Sequence, residues 1–408
     1  MIARYRVLFS IPGFTRLLVG SVLGRLPSGM FSLAILLFVR GRTDSFLAAG
    51  VAVGAFALAG ALAGPLLGAL VDRVGQKRVL LPASLVQGAL LVMLVVIAQS
   101  SAPVVVIVAL AALAGAAQPP IAGCIRALWA QVAGTGEQLE TAYALDATTQ
   151  EVIWTLGPLL VGGTAVLLSP AAGVLACAAI TVAGTAFFAA SKLSSDWQAR
   201  TPERSRASAL ASRGLRALLG TALLAGVVIG AVEVGLPALA VTHHARWSAG
   251  PLLALFSIGS MAGGLAYSAM RWRRPIGLRY IALLLAMAAA VAPLIAAHTL
   301  AVAYPLAALG GLGVAPMLSC QFSLVGALAP AGTATEAFTW HRGATIAGMA
   351  AGSTLGGSLI DAHGAGGAFA LGCASVALAC LLATLWRGRI DPVAATRRMS
   401  DALPAAQQ

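Results

Sequence analysis

Long apolar runs separated by short polar connections recur along the whole chain. A run of about 18 to 25 apolar residues is long enough for a helix to cross a hydrocarbon layer of roughly 30 Å. The pattern therefore predicts an all-α integral membrane protein rather than a protein built around a water-soluble core. We predict twelve membrane spans, at residues 15–39, 46–70, 79–99, 103–128, 141–168, 170–191, 216–241, 249–270, 275–296, 299–327, 334–360 and 366–386.

One long polar connection divides these spans into two sets of six. It reads SKLSSDWQARTPERSRASALASRGLR and is rich in Ser and Arg. We therefore predict four regions: an N-terminal six-helix bundle at 1–191, a cytoplasmic linker at 192–215, a C-terminal six-helix bundle at 216–386 and a cytoplasmic tail at 387–408.

Spans that occupy the same place in the two halves resemble one another. The fourth span reads LAGAAQPPIAGC from Leu113 and the tenth reads LGGLGVAPMLSC from Leu309, so a Gly, a Pro and a Cys recur at a shift of 196. The second and eighth spans match at a shift of 199, and the fifth and eleventh at a shift of 195. Three matches at nearly equal shifts predict two pseudo-symmetric bundles.

Composition and charge decide between a membrane and a nucleic-acid partner. The 408 residues are 59% hydrophobic and only 10% charged, with a net charge of +13. With the N-terminus placed in the cytoplasm, most basic residues fall in predicted cytoplasmic segments. Only Arg40, Arg42 and Arg246 fall in segments on the outer side of the membrane. This asymmetry predicts a multi-pass protein of the cytoplasmic (inner) membrane with both termini in the cytoplasm. We expect the lipid bilayer, and no nucleic acid, as its partner.

A polar segment, GALVDRVGQKRVL at residues 68–80, interrupts the apolar pattern after the second predicted span. With the span count, the repeat and the linker, it resembles the major facilitator superfamily, whose signature here is G-x-L-x-D-R-x-G-[RK]-[RK]-[RK]. The resemblance implies that superfamily's fold of two six-helix bundles. The segment reads Gly68-x-Leu70-x-Asp72-Arg73-x-Gly75-Gln76-Lys77-Arg78, with Gln76 where a cation is usual.

The resemblance also implies a gate, because in that superfamily this loop holds the two halves together on the cytoplasmic side and releases them during transport. Asp72 is then expected to meet the start of the eleventh span. The alternatives are a local pair with Arg73 or Arg78, and a loop that only sets topology. In the second half the segment 270–275 lacks the Asp and the Gly pair, so the contact is predicted to be one-sided.

Two further residues belong to this predicted gate. The stretch from Thr333 to Glu336 resembles a capping box, so Glu336 either joins the gate or satisfies its own helix start. Arg126, at the end of the fourth span, either reaches the lipid headgroups or supports the loop. The residues that we assign to the cytoplasmic gating loop are Gly68, Asp72, Arg73, Gly75, Lys77, Arg78, Arg126 and Glu336.

Ionisable residues inside the spans are few, and each costs about 3 kcal/mol or more at mid-bilayer unless it is paired or hydrated. Arg25 and Glu151 reach a similar depth, about 13 and about 15 Å from the cytoplasmic ends of their spans, and are expected to pair. Glu151 then either exchanges a proton as Arg25 approaches and retreats, or forms a permanent structural pair. Glu233 has no basic partner in its span and either titrates or faces an outer water cavity. These three are the proton-coupling candidates.

Several polar side chains in or near the spans are candidates for a substrate cavity. A hydrogen bond between helices is the alternative role for each polar residue, and aromatic packing is the alternative for the tryptophan. The selected cavity candidates are Gln118, Asp146, Gln150, Trp154, Gln321 and His341; Arg342 lies beside them.

The motifs of other protein classes are missing from the sequence. No phosphate-binding G-x-x-x-x-G-K-[ST] occurs, and the five cysteines lack metal-ligand spacing. We expect no enzyme, no metal and no cofactor. The expected function is a monomeric secondary transporter that exports a small, partly apolar compound against protons. The alternatives are a transporter of a polar metabolite such as a sugar or amino acid, and a non-transporting sensor or scaffold.

Overall fold

A computed structural model gives the structure of the chain and describes all but a few short stretches of it. The described residues are 2–44, 46–100, 102–134, 136–195, 197, 208–245, 248–270, 272, 274–297 and 299–391. Most of the predicted linker and all of the tail beyond residue 391 lie outside them.

The first half is entirely helical where it is described, as the long apolar runs predicted. Proline and glycine interrupt some spans, so one predicted span can consist of two helices. Its helices are α1 (Ile2–Phe9), α2 (Phe14–Arg25), α3 (Pro27–Thr43), α4 (Phe46–Val74), α5 (Gln76–Gln99), α6 (Val104–Ala116), α7 (Ile121–Val132), α8 (Glu137–Leu167), α9 (Pro170–Ala189) and α10 (Lys192–Ser195).

The second half repeats this arrangement. Its first helix begins at the cap residue Ser212, a few residues before the predicted start of the bundle. Its helices are α11 (Arg213–Thr242), α12 (Ala249–Ala269), α13 (Ile276–Val291, extended by a 3-10 turn at Ala292–Ala296), α14 (Leu300–Gly311), α15 (Val314–Leu328), α16 (Ala334–His363), α17 (Ala365–Leu385) and α18 (Arg387–Ile390).

Ten helical segments within the described residues are long and apolar enough to cross a membrane. The helices α8 and α16 have 31 and 30 residues, which is also enough to cross, but they carry more polar side chains. They occupy the fifth and eleventh places of the predicted order, where each packs against helices of both halves. The result is an all-α membrane protein of two six-helix bundles, as the sequence predicted.

The sequence repeat has a physical cause in the packing of broken helices. A Cβ on Gly115 would collide with the Phe56 carbonyl of α4, and a Cβ on Gly311 would collide with the Phe256 carbonyl of α12. Both glycines lie near the end of a helix that stops before a second helix begins. The repeated glycine therefore marks the place where two backbones approach too closely for any side chain.

Candidate functional site

A cavity lies between the two halves, and it has two adjoining lobes of about 250 and about 410 Å3. Residues of α8 from the first half and of α16 from the second line both lobes. The residues shared by the two lobes are Trp154, Arg342, Ile346 and Met349. The cavity is thus an interface between bundles that no single half can form.

A buried ion triad lies in the first half beside the smaller lobe. Arg25 Nη1 lies 2.5 Å from Asp146 Oδ1, and Arg126 Nε lies 2.7 Å from Asp146 Oδ2. Arg25 also donates to Gln150 Oε1 at 2.6 Å. All three charged side chains are buried, so one carboxylate holds two guanidinium groups together across three helices.

The expected pair between Arg25 and Glu151 is therefore wrong. Asp146 and Gln150 are four residues apart and share one face of α8, which faces Arg25. Glu151 is the next residue along the helix and is rotated by about 100° from Gln150, which directs it to the second half. The depth along the helix was predicted correctly, but the side of the helix was not.

Arg126 does not reach the lipid headgroups, which corrects the first of its two expected roles. Its guanidinium is buried and lies 3.8 Å from the centroid of the Phe322 ring of α15. Because Asp146 holds the same guanidinium from the first half, Arg126 connects the triad to the second half.

Glu151 and Glu233 line the larger lobe without any basic partner among the described residues. Glu151 Oε1 accepts a hydrogen bond of 3.0 Å from the Ser260 hydroxyl of α12, a contact between the two halves. Glu233, on α11, interacts electrostatically with Glu151. The two carboxylates form one acidic group on the wall of the larger lobe.

The remaining cavity candidates divide into two groups. Gln118, Gln150, Trp154 and His341 line the cavity. Asp146 and Gln321 line neither lobe, and both take the alternative role of a hydrogen bond between helices, Asp146 with Arg25 and Arg126 and Gln321 with Tyr280.

His341 ends a directed chain of hydrogen bonds within the second half. Tyr280 donates to Thr221, and Gln321 Nε2 donates to the Tyr280 hydroxyl, each at 3.0 Å. The remaining amide oxygen of Gln321 then accepts from His341 Nε2 at 2.9 Å. His341 Nδ1 has no partner within the described residues. The chain thus orients the ring at the cavity wall.

Asp72 joins the two halves at one end of the molecule, where α4 ends and where α8, α13 and α16 begin; we name this the basic end. Its carboxylate accepts hydrogen bonds from the backbone N–H groups of Thr335 at 3.1 Å and Glu336 at 2.9 Å. These are the second and third residues of α16, so the expected contact with this helix start is present. Asp72 acts as the cap of a helix in the other half.

The capping box expected at the start of α16 is not formed. Thr333 makes no side-chain cap hydrogen bond, and its hydroxyl donates to the Pro330 carbonyl instead. Glu336 accepts a hydrogen bond from the Ser208 hydroxyl, at the end of the linker. With Asp72 present at the helix start, the local cap is unnecessary.

The other residues of the 68–80 segment have separate roles. A Cβ on Gly68 would lie 2.7 Å from Thr339 Oγ1 of α16, so this glycine permits the close approach of the halves. Gly75 has a φ of +99° at the turn between α4 and α5. Gln76 is buried and donates to the Cys124 carbonyl, which explains why no cation stands there. The exposed cations of the segment are Arg73, Lys77 and Arg78.

A second contact between the halves corrects the prediction of a one-sided gate. Arg279 at the start of α13 donates to both carboxylate oxygens of Glu140 at the start of α8, at 2.6 and 2.7 Å. Arg279 also lies 5.7 Å from the ring centroid of Trp272. The second half therefore uses a side-chain ion pair where the first half uses a helix cap. Neither residue belongs to a motif, so the sequence carried no signal for the pair.

Known proteins share both the family signature and the architecture. A family model described as Major Facilitator Superfamily matches residues 17–339. No curated protein sequence matches the chain. A bacterial homologue of the iron transporter ferroportin in an outward-facing state has a TM-score of 0.76 and 15% identity, covering 92% of this chain and 99% of that chain. The human organic anion transporter MFSD10 has a TM-score of 0.69 and 19% identity, covering 90% and 98%. The E. coli fucose:proton symporter FucP has a TM-score of 0.71 and 15% identity, covering 94% and 99%.

Proposed function

We propose that this chain, which belongs to the major facilitator superfamily, exports small, partly apolar compounds in exchange for protons. The observation that carries the proposal is the pair of carboxylates, Glu151 and Glu233, that line the cavity without a basic partner among the described residues. A carboxylate in a site of low dielectric carries a lower free-energy cost when it can take up a proton or bind a cation. The same group can then be occupied by protons or by cargo in turn.

The cavity wall supports a partly apolar cargo. Aromatic rings from both halves contribute to it, and aliphatic side chains of α11, α12, α15 and α16 add to the apolar wall of the larger lobe. A wall of this kind binds apolar groups by contact area, while its few polar groups orient the ligand. The aromatic residues of the two lobes are Phe31, Phe56, Trp154, Phe256, Phe322 and Phe338.

The exchange follows from alternating access of this one cavity. The contacts of Asp72 and of the Glu140–Arg279 pair join the halves at the basic end, so in the proposed cycle cargo and protons enter from the opposite side while these contacts are made. Opening toward the basic end requires both contacts to break. The Glu151–Ser260 hydrogen bond also joins the halves, so protonation of Glu151 changes a contact between the parts that must move.

The orientation and location are part of the proposal. The positive-inside rule assigns the basic end, with its exposed Arg73, Lys77 and Arg78, to the cytoplasm. Export therefore means release from the face opposite the basic end, in the cytoplasmic membrane of the cell. One chain provides both bundles and the whole cavity, which supports a monomer as the transporting unit.

The test is gradient-driven flux in proteoliposomes. Purified wild-type protein, Glu151→Gln and Glu233→Gln are compared under an imposed pH gradient, across a panel of dyes, antibiotics and metabolites. Asp44→Asn, which changes an exposed carboxylate far from the cavity, is the matched control. In the wild type and the control, we expect cargo to move in the direction opposite to that of the protons. We expect this movement to be lost in both glutamate variants. Flux that survives both variants unchanged contradicts the proposal.

A further inference from the structure

Arg342 is a cation of the cavity wall without an acidic partner among the residues that the structure describes. It lies on α16, beside His341, and lines both lobes. Within the described part of the chain, its guanidinium has no hydrogen bond and no ion pair. The two other arginines of the wall, Arg25 and Arg126, share Asp146.

This guanidinium carries its charge permanently, because arginine does not lose its proton in proteins. The guanidinium groups of Arg126 and Arg25 repel it. Three guanidinium groups and the single carboxylate of Asp146 leave two positive charges on this side of the cavity. We name this side, formed by Arg25, Arg126, Asp146 and Arg342, the cationic pole.

The opposite charge collects elsewhere on the wall. Glu151 and Glu233 line the larger lobe, and neither has a basic partner within the described residues. We name this pair the acidic pole. The apolar side chains of Trp154, Ile346 and Met349 line both lobes together with Arg342. The cavity wall thus carries unpaired charged groups of both signs and an apolar surface.

We propose that the cargo is a small zwitterion with an apolar body, whose anionic group binds Arg342 and whose cationic group binds the acidic pole. The proposal rests on the proposed function and deepens it by naming the class of cargo. A carboxylate or phosphate can accept two parallel hydrogen bonds from a free guanidinium. The cationic group meets the same carboxylates that take up protons, so cargo and protons compete, as exchange requires.

Cargo of a single charge fits this wall less well. A purely cationic compound leaves Arg342 unpaired and is repelled by the cationic pole. A purely anionic compound is repelled by the acidic pole until both glutamates are protonated, and it then binds together with protons instead of replacing them. Only a compound that carries both charges can pair with Arg342 and with the acidic pole while it displaces protons.

Two dyes that differ by one group test the assignment directly. A rhodamine with a free carboxylate is a zwitterion, and its methyl ester is a cation with the same aromatic body. Fluorescence polarisation of each dye with purified full-length protein in detergent gives two dissociation constants. We expect the wild type to bind the free carboxylate at least about tenfold more tightly, as one charge-assisted pair provides.

Variants at Arg342 connect this preference to the guanidinium. Arg342→Gln is expected to bring the two dissociation constants within about twofold of one another, while Arg342→Lys retains part of the preference. Arg387→Gln, an exposed arginine at the basic end, is the matched control and keeps the wild-type ratio. The wild-type comparison needs no variant, so it remains a test even if Arg342→Gln fails to fold.

Several results overturn the assignment. They are equal binding of both dyes by the wild type, tighter binding of the ester, binding of neither dye, and an equal loss of both dyes in Arg342→Gln. Failure of the proposed exchange has a different signature, because binding in detergent needs no gradient. Suppose that the preference for the dye with a free carboxylate depends on Arg342, while flux in proteoliposomes does not depend on the pH gradient. This result supports the zwitterion site and contradicts the exchange mechanism.

Discussion

Two groups of charges in this protein lie close together along α8 and differ in how they are satisfied. Asp146 is paired twice, with Arg25 and Arg126, whereas within the described residues the Glu151 carboxylate accepts one hydrogen bond, from the Ser260 hydroxyl. The two carboxylates are five residues apart, about 7.5 Å along the helix. The difference indicates a division of labour. The paired charges of the triad hold helices together. The unpaired carboxylates of the cavity are available to a ligand or a proton.

The largest expected effect comes from breaking the paired group. Asp146→Asn leaves two buried guanidinium groups without a carboxylate, which costs about 3 to 5 kcal/mol. We expect a large fall in the melting temperature of the purified protein in detergent, with a poor yield of folded material. Asp44→Asn, in an exposed position, should melt like the wild type. An Asp146→Asn variant as stable as the wild type contradicts the structural role of the triad.

The next-largest effect is expected at the unpaired carboxylates, Glu151 and Glu233. Unlike the loss of Asp146, their loss should not lower the stability of the protein. Glu151→Gln and Glu233→Gln remove a charge that has no basic partner among the described residues, so the melting temperature should stay near or above that of the wild type. Gradient-driven flux should fall at least about tenfold in each variant, which corresponds to about 1.4 kcal/mol or more. Variants that melt early, in the manner of Asp146→Asn, show instead that these carboxylates are structural.

A smaller effect is expected at the cap that closes the basic end. Asp72→Asn keeps one hydrogen-bond acceptor for the start of α16 but removes the negative charge, at a cost of about 0.5 to 2 kcal/mol. Spin labels placed across the basic end should report a larger fraction of molecules with separated halves. A distance distribution identical to that of the wild type removes Asp72 from the gate.

The smallest effect is expected at the second contact of the basic end. Glu140 is partly exposed, with 29% of its side-chain surface accessible, so solvent screens its pair with Arg279. A double-mutant cycle of Glu140→Gln and Arg279→Gln should give a coupling free energy of about 1 kcal/mol or less, from the same spin-label distances. A coupling free energy clearly larger than the effect of Asp72→Asn reverses the expected order of the two contacts at the basic end.

Much of the fold could be predicted because periodicity and length depend on local sequence. The apolar runs predicted the two bundles, and the glycines repeated at a shift of 196 lie at matching close approaches. The contact of Asp72 followed from a resemblance in its motif. The partners of Arg25 could not be predicted in this way, because a rotation of about 100° along α8 separates Gln150 from Glu151. The Glu140–Arg279 pair depends on how two halves meet, which no local pattern records.

Arg342 was also not predictable from local sequence, because here a partner was expected and none was found among the described residues. As for the other polar residues in or near the spans, a hydrogen bond between helices was expected for Arg342, and the structure leaves it without a partner among the described residues. Whether a buried charge is satisfied depends on the side chains of other helices. A charge in a membrane span therefore identifies a position of interest, and the three-dimensional arrangement decides between a structural pair and a binding group.

Proton release upon cargo binding tests the central claim most directly. Purified protein in weakly buffered detergent solution near neutral pH is mixed with a compound that it transports, and a pH indicator follows the solution. We predict that the wild type releases protons and that the double variant Glu151→Gln/Glu233→Gln releases none. Release of the same number of protons by the double variant contradicts the claim that these two carboxylates exchange protons for cargo.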